Sequence, residues 1–276
     1  HMNYRVIDVT SSVVSASFGA LMNSQQYRSR TLVPQIRLGD EKLDNFRFSQ
    51  MGAPMSQYQG PSSARLPLDE VNNEDAVRQA IWNEVNNRYK FAVDMYQKTK
   101  AQSSVNVEEE DKAPYFSEAK VEKYYEAPLP AEKMTIDRDL WAARMKEISA
   151  VFKNQPGIMK GDAIMMERRY FVNNEGTEVV QNLPYARIMV FGETKADDGM
   201  ELPLNLSYFA YDPADLPGND RIIADTREMV KTLEALRVAP VVDPYTGPAL
   251  LSGPASGVFF HEIFGHRIEG QRMKSE

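Results

Sequence analysis

Alternating apolar and polar residues between positions 163 and 212 constrain the fold of this chain more than any other feature of its sequence. The segments AIMMERRYFVNNEGTEVVQN, YARIMVFGE and LPLNLSYFAYD show the two-residue period of half-buried strands. Residues 173–176 are Asn-Asn-Glu-Gly, which is typical of a hairpin turn, and residues 195–199 form a second connection. The pattern therefore predicts consecutive strands of one sheet.

The N-terminal segment predicts further strands. YRVIDVTSSVVSASFGAL is rich in β-branched residues and is expected to turn near Thr10 to Ser12. RTLVPQIRLGD continues the pattern and is expected to end at Gly39 and Asp40. Pro34 lies inside this segment and indicates an edge strand or a bulge, because proline donates no hydrogen bond to a neighbouring strand.

Helical periodicity accounts for most of the remaining chain. The longest amphipathic pattern falls within residues 69–102, and a second, IDRDLWAARMKEISAVFKN, begins near the candidate cap Thr135. DRIIADTREMVKTLEAL predicts a third helix. TGPALLSG predicts a short buried strand, and PASGVFFHEIFG then predicts a last helix with Pro254 in its first turn.

These elements predict an α+β fold with mixed or antiparallel sheets and long amphipathic helices. Residues 3–100 form a first α+β region, and residues 135–276 form a second region that ends in the last helix. Residues 101–134 are polar and acidic, so we expect an exposed connection between the two regions.

Composition excludes several classes of protein. The net charge of -7 argues against a nucleic-acid partner, because such proteins usually carry a basic face. The sequence contains no cysteine, which excludes disulfides and thiolate metal ligands within these 276 residues. No run of about 18 apolar residues is present, so we expect no membrane span.

The histidines are concentrated in one motif. His1 and Met2 read as the remnant of a cleaved affinity tag, which leaves His261 and His266 as the native histidines. Both lie in FFHEIFGHRIEG, where Glu262 follows the first of them. A hydrolytic zinc site needs neutral nitrogen or carboxylate ligands, an open position for water and a base near that water. The motif supplies these groups within six residues.

The spacing of the two histidines demands a distorted helix. Five residues of a regular α-helix turn through about 500°, so the two rings would lie roughly 140° apart. A π-bulge would bring the rings together, and so would a helix that ends at Gly265, where glycine tolerates unusual backbone angles.

The segment GPALLSGPASGVFFHEIFGHRIEGQ resembles the central motif of the TldD/PmbA family of metallopeptidases. That family has an HExxxH signature, which residues 261–266 match, followed by a segment that Ile268, Glu269 and Gly270 match. FVNNEGTEVVQ is similar to the family's Asn-Ser-x-Gly-type hairpin, and DAVRQAIWNEVNNRYKFAVDMYQKTKA is similar to the long helix of its larger bacterial members.

The resemblance implies a zinc-dependent peptidase. His261 and His266 would bind zinc, and Glu262 would be the general base that takes a proton from the zinc-bound water. The family's third ligand is a cysteine in its C-terminal half, so we expect these residues to be the N-terminal part of a longer polypeptide. We expect the 276-residue chain alone to fold but not to cleave peptides, because two histidines rarely hold zinc tightly.

The resemblance also implies the partners and the location. Members of the family act on unfolded peptides inside a closed cavity, often as homodimers or as heterodimers with a related subunit. They are cytoplasmic, and we expect the same location here. Export stays open, because the tag remnant implies that the native N-terminus, with any targeting signal, was removed. Substrate held by β-strand addition fits the strand-rich segments of this sequence.

Two other functions and one further residue stay open. A dipeptidyl peptidase III type of metallopeptidase has a similar His-Glu-x-x-Gly-His core, but its second motif is not found in this sequence. A non-catalytic partner subunit that binds peptide is the other alternative, and the intact His-Glu-His set argues against it. Glu269 is either a third ligand, a group that supports His266, or a surface carboxylate paired with Arg267 or Arg272; the sequence favours the surface carboxylate.

Overall fold

The computed structural model describes residues 1–46, 63–68, 73–103, 119–130, 136–153, 164–173, 176–196 and 198–269, together with Pro114 and Lys133. For residues 164–173 it describes the course of the backbone. Thr135, Arg272, Gly270 and half of the 101–134 connection lie outside the described residues.

Within the part of the chain that the structure describes, one mixed sheet of seven strands forms the centre. The strands follow the order β3-β2-β1-β5-β6-β4, and β7 pairs with β6. Every pairing is antiparallel except that of β4 with β6. This confirms the predicted mixed or antiparallel sheet. The strands are β1 (Met2–Ser17), β2 (Ala20–Ile36), β3 (Ala64–Leu66), β4 (Lys123–Tyr125), β5 (Ile164–Asn173), β6 (Glu178–Lys195) and β7 (Glu201–Ala210).

Four α-helices accompany the sheet in the described residues, as the α+β prediction requires. They are α1 (Glu74–Ser103), α2 (Arg138–Ser149), α3 (Asn219–Arg237) and α4 (Gly253–Ile263). The cap of α2 is Asp137, whose carboxylate accepts hydrogen bonds from the backbone N–H groups of Asp139 and Leu140 at 3.1 and 3.0 Å. Among the described helices, none has the length and apolarity that crossing a membrane requires.

The N-terminal hairpin turns later than the sequence predicts. β1 continues through Thr10 and Ser12, and the turn lies at Phe18 and Gly19, where φ is 50° and 81°. Positive φ at both central residues matches the right-handed twist of a hairpin, and glycine adopts it without strain. Threonine and serine occur in strands as well as in turns, so the cluster at Thr10 to Ser12 led to a wrong predicted position for the turn.

Pro34 lies at the edge of the sheet, as its sequence position predicts. β2 pairs with β1 along its length, whereas β3 covers β2 only from Arg30 to Leu32. Within the described residues, Pro34 therefore lies beyond the β3 pairing. The strand itself ends at Ile36 rather than at Gly39 and Asp40.

The main core lies between the sheet and helices α2 and α3. Phe152, Ile148, Ile188 and Ile222 are almost fully buried there. Gly192 on β6 allows this packing, because a Cβ at that position would lie 2.8 Å from Phe152 Cε1. The close approach of the side chains to the strand therefore depends on glycine.

A buried charge cluster joins β1 to β2. Asp8 accepts hydrogen bonds from Arg28 at 2.9 and 2.6 Å and from Arg30 at 3.0 and 2.6 Å. Burial alone would raise the pKa of Asp8, but the hydrogen bonds and charges of the two arginines together hold that pKa below its ordinary value. The cluster ties β1 to β2 in the register in which Asp8 lies opposite Arg30.

Strands of the two predicted regions lie in the same sheet. β1 belongs to residues 3–100, β5 belongs to residues 135–276, and the two strands pair over Asn3–Ser12. The division of the chain at residues 101–134 stays a prediction.

Candidate metal centre

The helix that carries the first histidine begins as its sequence predicts but ends two residues before Gly265. Pro254 lies in the first turn of α4, where its missing N–H group costs no helical hydrogen bond. The helix ends at Ile263, and Phe264 departs from helical geometry with φ -121° and ψ -51°. A 3-10 turn then covers Gly265–Arg267, with Ile268 N donating to the Gly265 carbonyl at 3.2 Å.

This break brings the two histidine rings together. The ring centroids of His261 and His266 lie 4.5 Å apart, with an angle of 72° between the ring planes. Of the two distortions predicted for an i, i+5 pair, the end of the helix is the one observed. Phe264 carries the break, because φ at Gly265 is not in the left-handed region that favours glycine.

Glycine is therefore not required at position 265, and we expect Gly265→Ala to keep the site. A Cβ there would lie 3.9 Å from both His261 Nδ1 and the Phe260 carbonyl oxygen, which is ordinary contact. The variant should bind zinc with an affinity within about threefold of the unchanged chain, a difference well below 1 kcal/mol. A zinc titration measures this, and a loss of tenfold or more would mean that position 265 needs the freedom of glycine.

The three candidate residues form one compact donor group. Ligand atoms of His261, Glu262 and His266 all lie within 4.8 Å of one another. Glu262 lies near both rings, with its carboxylate oxygens 3.6 Å from His266 Nε2 and 4.0 Å from His261 Nε2. In a tetrahedral zinc site, bonds of 2.0–2.1 Å separate ligand atoms by about 3.3 Å. The donor chemistry fits a zinc ion, and the ligand atoms are close enough to gather around one ion.

Glu269 contacts the outer side of this group. Its Oε1 lies 2.7 Å from His266 Nδ1, so the carboxylate accepts a hydrogen bond from that ring nitrogen. From the sequence, the favoured interpretation of Glu269 was a surface carboxylate, and support of His266 was a less favoured alternative. Glu269 lies two residues beyond the 3-10 turn, and the chain leaving the turn keeps its carboxylate beside His266.

The surroundings of the motif are more exposed than the sequence predicts. TGPALLSG is not a buried strand: residues 246–252 have no strand structure, and Leu250 is fully exposed. No residue of α4 is buried, and Phe259, Phe260 and Phe264 are 47%, 60% and 60% exposed. The apolar composition predicted burial, but in this chain the segment does not pack into the core. The donor group accordingly opens to solvent, with 61% of the His261 side chain exposed.

Comparisons with known proteins give structural similarity alone. No protein-family model and no curated protein sequence matches the chain. The crystal structure of TldE from Thermococcus kodakarensis is similar over 83% of this chain, with 14% identity and a TM-score of 0.47. Proteins described as candidate modulators of DNA gyrase from Thermotoga maritima and Bacteroides thetaiotaomicron cover 88% and 83% of the chain, with 8% and 10% identity and TM-scores of 0.46 and 0.41.

The chain spans less than half the length of these three proteins, covering 44%, 46% and 45% of them. Identities and TM-scores this low transfer no activity. A function for this chain is therefore argued from its own donor group.

Proposed function

We propose that this chain provides the zinc site of a metal-dependent peptidase, in which His261 and His266 hold the ion. The observation that carries the proposal is the convergence of two imidazoles and one carboxylate within 4.8 Å across a break in the helix. A regular helix would keep the two rings apart. The break in the helix thus brings both histidines to one metal centre.

Zinc, when bound, lowers the pKa of a water ligand to about 7 and polarises a substrate carbonyl. Glu262 acts as the general base, because its carboxylate lies within about 4 Å of a nitrogen of each histidine and its side chain is 61% exposed to solvent. An exposed carboxylate at this position reaches a water molecule and accepts its proton as that water attacks a peptide carbonyl. The same group later returns the proton to the leaving amine.

The substrate in this proposal is an unfolded peptide. Extended peptides bind along free strand edges through backbone hydrogen bonds, which require little sequence preference. β7 offers such an edge in the described part of the chain, where its pairing is with β6. We further propose a cytoplasmic dimer with a like or related subunit, and a third zinc ligand from a cysteine outside these 276 residues, as the family resemblance implies.

Zinc titration of the purified chain tests the metal site. We expect one zinc per chain, with affinity reduced at least about 100-fold in His266→Ala, because structural zinc derives roughly 3 kcal/mol from each of four ligands. His1→Ala is the matched control, since it removes the imidazole at the other end of the chain and should leave the affinity unchanged. Equal affinity in the unchanged chain and in His266→Ala would exclude this site.

A further inference from the structure

The two nitrogens of the His266 ring face different carboxylates. Nδ1 lies 2.7 Å from Glu269 Oε1, which is hydrogen-bonding distance. Nε2 lies 3.6 Å from Glu262 Oε2, which is too long for a hydrogen bond, and it faces the donor group. The ring is therefore held on one side and open on the other.

This contact determines which nitrogen carries the proton. A carboxylate only accepts hydrogen bonds, so the nitrogen beside Glu269 must be the N–H donor. A neutral imidazole has one N–H group, which leaves Nε2 with its lone pair directed toward Glu262 and His261. His266 is thus set in the tautomer that can bind a metal through Nε2.

We propose that Glu269 is a positioning residue for the metal centre, which fixes both the tautomer and the orientation of His266. This inference rests on the proposed function, because the prepared nitrogen is the one that would hold zinc. Carboxylates that accept a hydrogen bond from a metal-binding histidine typically account for 10- to 100-fold of the metal affinity. Glu269 meets this description and lies outside the compact donor group of His261, Glu262 and His266.

The local backbone makes the arrangement specific. The helix break at Phe264 starts the 3-10 turn over Gly265–Arg267, and Glu269 follows this turn with its carboxylate 2.7 Å from His266 Nδ1. One change of backbone geometry therefore brings His266 to His261 and Glu269 to His266. The motif and the glutamate after it act as one unit.

Two-bond ¹⁵N–¹H correlation spectra of the metal-free chain test the tautomer directly, at about pH 8, above the ordinary titration range of imidazole. We expect the Nδ1–H tautomer for His266 in the unchanged chain and in Glu269→Gln, whose amide oxygen still accepts the hydrogen bond. Glu269→Ala should shift His266 toward the Nε2–H tautomer. His266→Ala identifies the signal, and Glu234→Ala, an exposed glutamate on α3, is the control.

Zinc affinity is measured on the same proteins by competition with a chelating indicator. We expect Glu269→Ala to weaken binding 10- to 100-fold, and Glu269→Gln to weaken it less. An unchanged tautomer in Glu269→Ala would overturn the inference, as would an equal loss of zinc in both variants, which is the behaviour of a direct ligand. A tautomer that shifts in a complete polypeptide that binds no zinc would support the positioning contact and overturn the proposed function, so the two failures are distinguishable.

Discussion

We expect Glu262→Gln to lower the rate of peptide cleavage by about 10²- to 10⁴-fold while the zinc content of the protein stays unchanged. Glutamine keeps the size and shape of the side chain but accepts no proton. The histidines keep their relative position, since the helix break depends on the backbone at Phe264. Cleavage of an unfolded protein such as casein, measured beside bound zinc, separates the two effects.

This cleavage assay needs the complete polypeptide, because our proposal takes the third zinc ligand from a cysteine outside these 276 residues. Glu234→Gln is the matched control, since it makes the same chemical change on the exposed face of α3. Full cleavage by Glu262→Gln would place the base elsewhere, whereas joint loss of zinc and cleavage would make Glu262 a ligand. Lost cleavage with retained zinc would also exclude the alternative of a subunit that only binds peptide.

We expect Asp8→Ala to lower the free energy of unfolding by about 3–5 kcal/mol. This is the usual consequence of removing one partner from a buried ion pair. The Asp8 and Arg30 side chains are only 8% and 10% exposed, so water replaces little of the lost interaction. Urea unfolding followed by the fluorescence of the buried Trp141 measures the change.

Asp243→Ala, which removes an exposed carboxylate, is the control for this variant and should change stability by less than about 0.5 kcal/mol. Asp8→Asn retains one acceptor oxygen and should lie between the two. A loss below about 1 kcal/mol in Asp8→Ala would mean that the strand register is held by other contacts.

Acid should reduce the contribution of Asp8 to stability. Because its pKa in the folded chain is lower than the ordinary value of about 3.9, folding favours the ionised carboxylate. This stabilisation is complete well above pH 4 and is lost as the pH falls through the lower pKa of the folded state. The difference between the unchanged chain and Asp8→Ala should therefore shrink below about pH 4.

Local sequence patterns predicted helices and strands more accurately than they predicted burial and turn positions. The two-residue alternation of β6 and β7 and the periodicity of α1 and α3 indicated regular structure correctly, because the side-chain period is set by the geometry of each element. TGPALLSG failed as a buried strand because apolar composition shows a preference for burial, whereas burial itself needs a partner surface. Thr10 to Ser12 failed as a turn because the positive φ angles fell at Phe18 and Gly19.

The sequence by itself determined the donor groups of the candidate site, since two histidines and a glutamate lie in one six-residue motif. It also required a break in the helix, because the i, i+5 spacing fits no regular α-helix. Only the three-dimensional structure decided that Phe264 makes this break and that Glu269 reaches His266 Nδ1. It likewise decided that Asp8 joins both arginines of β2. Backbone angles and cross-strand register depend on how the chain folds back on itself, and residue spacing alone does not specify them.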